Sequence, residues 1–114
     1  MRGARGTILI LLTLLLTACA STSAQLTTGE LLDATGQAFL ETAETWRAAH
    51  AQGLVTDAEY SAFAAWGVAF RSAWETAYRA WLAGQDPGQV RRVVEALRRE
   101  LTIWALRLAE RKQS

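Results

Sequence analysis

The chain has 114 residues, a formal net charge of +1, 51% hydrophobic residues and one cysteine. That length holds one small domain, and a lone cysteine excludes an intramolecular disulfide framework or a cysteine-rich zinc site. One proline and 20% charged residues exclude a long disordered chain.

Residues Met1 to Cys19 carry Arg2 and Arg5, then an apolar run from Ile8 to Leu16 broken only by Thr13. A basic start followed by a short apolar run is the pattern of a secretory signal peptide, expected as a helix over residues 1–18. A membrane-spanning helix needs roughly 20 apolar residues, and here Ser21, Thr22, Ser23 and Gln25 follow at once.

The run ends in Leu16-Thr17-Ala18-Cys19. This resembles the lipobox of bacterial lipoprotein precursors: an aliphatic residue, two small residues and the cysteine that takes the lipid. The resemblance implies recognition of Leu16, Thr17 and Ala18 by the lipoprotein signal peptidase and cleavage before Cys19. It also implies diacylglycerol on the Cys19 sulfur and an acyl chain on the new amino group. Several acyl chains hold a protein to a membrane durably, whereas one alone binds only marginally. Ala20, where inner-membrane lipoproteins of the enterobacterial type carry aspartate, is similar to outer-membrane-directed members. The localisation expected is the outer membrane facing the periplasm, or the cell surface where the source has a single membrane.

Cleavage removes Arg2 and Arg5, leaving 10 basic and 11 acidic side chains and a balance of −1. Residues 19–26 are small and polar and suit a short flexible tether. Residues 27–114 read as a helical domain.

Helix 1 is expected over 28–52. Thr27 and Glu30 have the spacing of a capping box, with Leu26 and Leu31 as its hydrophobic staple. Leu32, Thr35, Phe39, Ala43 and Trp46 form its inner stripe, and Gly53 ends it. Helix 2 is expected over 57–83. Thr56 and Glu59 repeat the box, and Val55 and Tyr60 the staple. Its stripe is Tyr60, Phe63, Gly67, Phe70, Trp74, Ala77 and Trp81. An alanine band (Ala62, Ala69, Ala73 and Ala80) lies beside it, so helix 2 is expected at the centre with partners on two sides. Gly84 breaks the chain. Helix 3, over 87–112, starts with Asp86 as cap and Pro87 in the first turn, and buries Val90, Val94, Leu97, Leu101, Trp104 and Leu108.

No strand alternation competes with this pattern, and the connections are only a few residues long, which favours antiparallel neighbours. The fold class is all-α: an up-down-up three-helix bundle, or a long helical hairpin with the first helix packed onto it.

The search for chemistry returns little. His50, the one histidine, has no nucleophile or metal-ligand spacing around it, and reads as a helix-end residue meeting free carbonyls. No nucleotide-binding, hydrolase or metalloprotease motif is present. Paired acids such as Glu41/Glu44 and Asp57/Glu59 suit helix starts and solvated faces better than an acid pair in a cleft. The sequence therefore points to a non-enzyme with no metal and no cofactor. Trp66, at the flank of its stripe, is the tryptophan expected to be partly exposed and suited to a partner contact.

Charge is uneven: −4 from Cys19 to Gly84 and +3 from Gln85 to Ser114. Arg91, Arg92, Arg98 and Arg99 form two pairs one heptad apart. They read either as a solvated face pairing with acidic helices 1 and 2, or as a basic patch for anionic lipid or an acidic partner. Ile103 and Leu106 fall away from the helix 3 stripe and would extend that patch. Overall charge near zero argues against nucleic acid.

The expected function is a small membrane-anchored lipoprotein with a structural or protein-interaction role at the cell envelope. Its partners would be the membrane through the lipid on Cys19, a protein, and possible further copies of itself. The alternatives are a module binding a small apolar ligand, or a phage- or plasmid-encoded lysis or exclusion lipoprotein. The mature part of the chain is weakly similar to small helical lipoproteins, including prophage-borne ones.

Overall fold

The computed structural model describes residues 26–113. The leader, the Leu16-Thr17-Ala18-Cys19 box, Ala20 and most of the tether lie outside the described residues. The described chain is three helices: α1 (Thr28–Ala51), α2 (Asp57–Leu82) and α3 (Pro87–Gln113). No strand is present among the described residues. Every helix packs against the other two, which distinguishes the bundle from a hairpin with a loosely attached first helix.

The helix starts follow from their caps. The Thr56 hydroxyl accepts from the Glu59 amide, and the Glu59 carboxylate accepts from the Thr56 amide, each at 3.1 Å. At α1 the reciprocal half is missing. Thr27 accepts from the Glu30 amide at 3.2 Å, but the Glu30 carboxylate takes the Thr27 hydroxyl at 2.9 Å instead of its N–H. At α3 the Asp86 carboxylate accepts from the Gly88 amide at 3.0 Å.

Both connections are closed by glycine. Gly53 and Gly84 have φ of 74° and 75°, a left-handed conformation that costs glycine least. Gly53 donates to the His50 carbonyl and Leu54 to that of Ala49; Gly84 donates to Trp81 and Gln85 to Ala80. Each end is thus a double-bonded Schellman turn that satisfies helical carbonyls and reverses the chain.

Three core layers follow along the bundle. Leu31, Leu32, Ala77, Val90 and Val94 fill the end where α1 starts. Phe39, Phe70, Leu97 and Leu101 fill the middle. Trp46, Ala49, Val55, Phe63 and Leu108 fill the far end. The Val55–Tyr60 staple closes that last layer. The α3 stripe is buried as its spacing requires, with Trp104 half-buried.

Two expectations are corrected. Helix 2 is not central: the largest helix contact is between α1 and α3, and Ala62 and Ala69 of the alanine band face solvent. Alanine favours helix wherever it sits, so an alanine band does not by itself mark an interface. Trp81, counted in the inner stripe, is 37% exposed and is the most open tryptophan. It lies in the last turn of α2, where the bundle ends and the stripe has no further layer to enter.

Glycines on the helix faces divide by what stands opposite. A Cβ on Gly29 would lie 2.6 Å from the Trp81 ring, so α1 and α2 approach there only because that side chain is absent. A Cβ on Gly67 would lie 3.5 Å from Phe39, an ordinary contact. Gly67→Ala therefore gains helix propensity without a clash, and should stabilise by about 0.5–1 kcal/mol. A higher thermal midpoint checks this.

Candidate functional site

The residues singled out on α3 separate into two rows. Positions 92, 99, 103 and 106 are spaced by seven, four and three residues, so they share one helix face. That face is opposite Val90, Val94, Leu97, Leu101 and Leu108 in the core. Arg92 and Arg99 are exposed, and Ile103 and Leu106 are 50% and 51% exposed. Among the described residues Arg92, Arg98 and Arg99 have no ion pair.

Arg91 and Arg98 occupy a different, half-buried flank. Arg91 donates to Glu95 on its own helix at 3.1 Å and to the Leu26 carbonyl at 2.6 Å. Its job is to tie the start of α1 to α3. The four arginines thus do not make one patch. The link from basic α3 to acidic α2 runs instead through Arg111, 2.6 Å from Glu59. Arg107 lies 4.6 Å over the Trp104 ring beside it.

Glu59 sits between the Thr56 cap and Arg111. The bond from the Thr56 amide, then the Thr56 hydroxyl and Arg111, holds its carboxyl below the usual glutamate range. A depressed value means that ionised Glu59 stabilises the fold above its ordinary pKa, and this support is lost as pH falls through the lower folded value. Thermal midpoints measured below about pH 4.3, the free glutamate value, should fall more steeply for the parent than for Glu59→Gln.

Trp66 is half-buried and built into the core rather than presented outward. Its ring lies 5.2 Å from Phe70, 5.7 Å from Phe63 and 5.5 Å from Trp104, joining the middle and far layers. Its Nε1 reaches Glu100 at 3.4 Å.

His50 does not meet helix carbonyls, because the Schellman turn has already filled them. Its Nε2 lies 2.7 Å from the Asp57 carboxylate, and its ring stacks on Tyr60 at 4.4 Å. It clasps the α1–α2 turn.

A feature that the sequence did not reveal is a groove of about 360 Å³ between α1 and α2. Phe39, Phe70 and Trp74 line it over Gly36, with Asp33, Arg71 and Glu75 at the rim. A Cβ at Gly36 would lie 3.2 Å from the Trp74 ring, and Trp74 Nε1 donates to the Leu32 carbonyl at 2.9 Å. The missing side chain and the anchored indole together shape this recess.

Among the described residues no group of three or more His, Cys, Asp or Glu is placed to hold a metal, and no helix is long and apolar enough to cross a membrane. No family model, curated protein or solved structure matches the chain.

Proposed function

We propose that this chain is a membrane-anchored lipoprotein whose helical bundle serves as a docking module for a protein of the cell envelope. Cys19, within Leu16-Thr17-Ala18-Cys19, takes the lipid, and the outward face of α3 takes the partner. The observation that carries the docking reading is the row Arg92, Arg99, Ile103 and Leu106. Two large aliphatic side chains stand half-exposed on the face opposite the core, beside cations that no described acid neutralises. Solvation accounts for cations on a water-facing row but not for two large aliphatics beside them, whose apolar area a partner would remove from water. The complementary partner carries an apolar centre with an acidic rim, since opposite charge guides encounter while buried aliphatic area holds the complex.

Photocrosslinking from Ile103 in the native cell should trap one protein, and Arg99→Glu with Leu106→Asp should abolish that band. A band that survives both changes overturns the docking face. Radioactive palmitate should label the parent and leave Cys19→Ser unlabelled, and equal labelling of the two overturns the anchor.

The α1–α2 groove favours a second reading, a small uncharged apolar ligand held against Phe39, Phe70 and Trp74. An environment-sensitive apolar dye such as N-phenylnaphthylamine should then bind the parent and lose affinity in Gly36→Leu, which fills the recess. Equal binding by both sets this reading aside.

A further inference from the structure

One end of the bundle gathers the start of α1, the end of α2 and the start of α3. The Thr28 hydroxyl donates to the Pro87 carbonyl at 3.4 Å, Arg91 holds the Leu26 carbonyl, and the Trp81 ring lies over Gly29. The chain leaves toward Cys19 from this same end, at Leu26. Cys19 precedes Leu26 by seven residues, which reach at most about 25 Å when fully extended.

At this end α2 exposes three large side chains in its last turns: Tyr78 and Trp81, each 37% exposed, and Leu82, 62% exposed. Tyr78 stacks on Trp74 at 5.3 Å and lies 6.0 Å from Trp81, so the aromatic rings form a continuous run down to the end of the helix. Arg79 is exposed in the same turn. At the opposite end Leu54, Asp57, Glu110 and Lys112 are exposed.

We propose that Tyr78, Trp81 and Leu82 seat this end of the bundle in the headgroup layer of the membrane. This rests on the anchoring reading above. An acylated Cys19 keeps the bilayer within reach of these side chains, so the surface meets them at high effective concentration. Tryptophan and tyrosine favour that depth because their rings are apolar and their N–H and O–H remain wet. Leu82 adds buried aliphatic area, and Arg79 faces the lipid phosphates. The bundle then stands upright on its anchor, leaving the outward face of α3 open to a protein along its side.

The test uses the mature chain purified with its lipid, the mass of Cys19 being checked first. It is reconstituted into vesicles of phosphatidylethanolamine and phosphatidylglycerol brominated high on the acyl chains. Bromolipid should quench the parent's tryptophan fluorescence. Most of that loss should vanish in Trp81→Phe, remain in Trp104→Phe, and fall in Leu82→Asp, whose exposed position spares the fold. Equal quenching of the parent and Trp81→Phe on acylated protein overturns the headgroup contact and leaves the anchor standing. A Cys19 without lipid overturns both. A photocrosslinker at position 82 separates occupants: phospholipid adducts support the proposal, whereas a dimer or a protein adduct overturns it.

Discussion

Trp46→Ala should cost about 3–5 kcal/mol of stability, the range for removing a buried large aromatic. Trp46 is 2% exposed and holds the far layer of the core together. Its ring stacks on Phe63 at 4.9 Å and 5°, meets the edge of Trp104 at 5.5 Å, and its Nε1 donates to the Trp104 carbonyl at 3.2 Å. One side chain therefore joins all three helices, and beside it Val55 fixes the α1–α2 turn. A domain of this size has only roughly 5–15 kcal/mol of total stability, so the loss takes a large share of it and lowers the unfolding midpoint substantially. Trp46→Phe keeps the stack and gives up the hydrogen bond, which should cost about 1–2 kcal/mol. Urea midpoints for the three proteins check both figures. A drop below 1 kcal/mol for alanine would mean that Phe63 and Trp104 close over the space.

The contrast between Trp46 and Trp81 marks where sequence reasoning reached and where it stopped. Helix limits were legible to within a residue because caps are local chemistry: Thr27, Thr56 and Asp86 start helices through bonds two or three residues on. The glycines at 53 and 84 end them through a left-handed φ and the local backbone bonds it allows. Core stripes were legible because the helical period is fixed. What a stripe cannot convey is where the opposing helix begins. Trp46 and Trp81 have the same periodic standing, yet one is enclosed and the other emerges at the end of the bundle. Gly29 and Gly36 were silent for a related reason, since their meaning lies in an indole some forty to fifty residues away.

The candidate site shows the same boundary. That Ile103 and Leu106 leave the core followed from spacing. The division of the arginines did not: Arg91 is drawn to a backbone carbonyl of Leu26, and a sequence pattern records no such acceptor. His50 was read toward helix carbonyls for want of its actual partner, since Asp57 reaches it only after the turn has reversed the chain.

Thr35→Val should raise stability by about 1–2 kcal/mol, an unusual gain from a single change of nearly equal volume. Thr35 is fully buried, and its Oγ1 has no hydrogen-bond partner among the described residues. Helical threonines ordinarily return the hydroxyl to the carbonyl four residues back. Thr45, Thr76 and Thr102 do so, at 2.8, 2.9 and 3.0 Å. Thr35 is enclosed near the layers built on Leu32 and Phe39, and forgoes that bond. A buried hydroxyl without a partner costs about 1–3 kcal/mol, and valine removes it while keeping the shape. For a domain of this length each kcal/mol moves the thermal midpoint by roughly 4–8 °C, so the gain is large enough to read directly. Thr45→Val, which breaks an existing exposed bond, should give no such rise. Thr35→Ser should lower the midpoint, because it keeps the hydroxyl and loses the methyl. If valine at 35 brings no increase, the hydroxyl is using the Leu31 carbonyl in solution, and the polar defect at this level of the core does not exist.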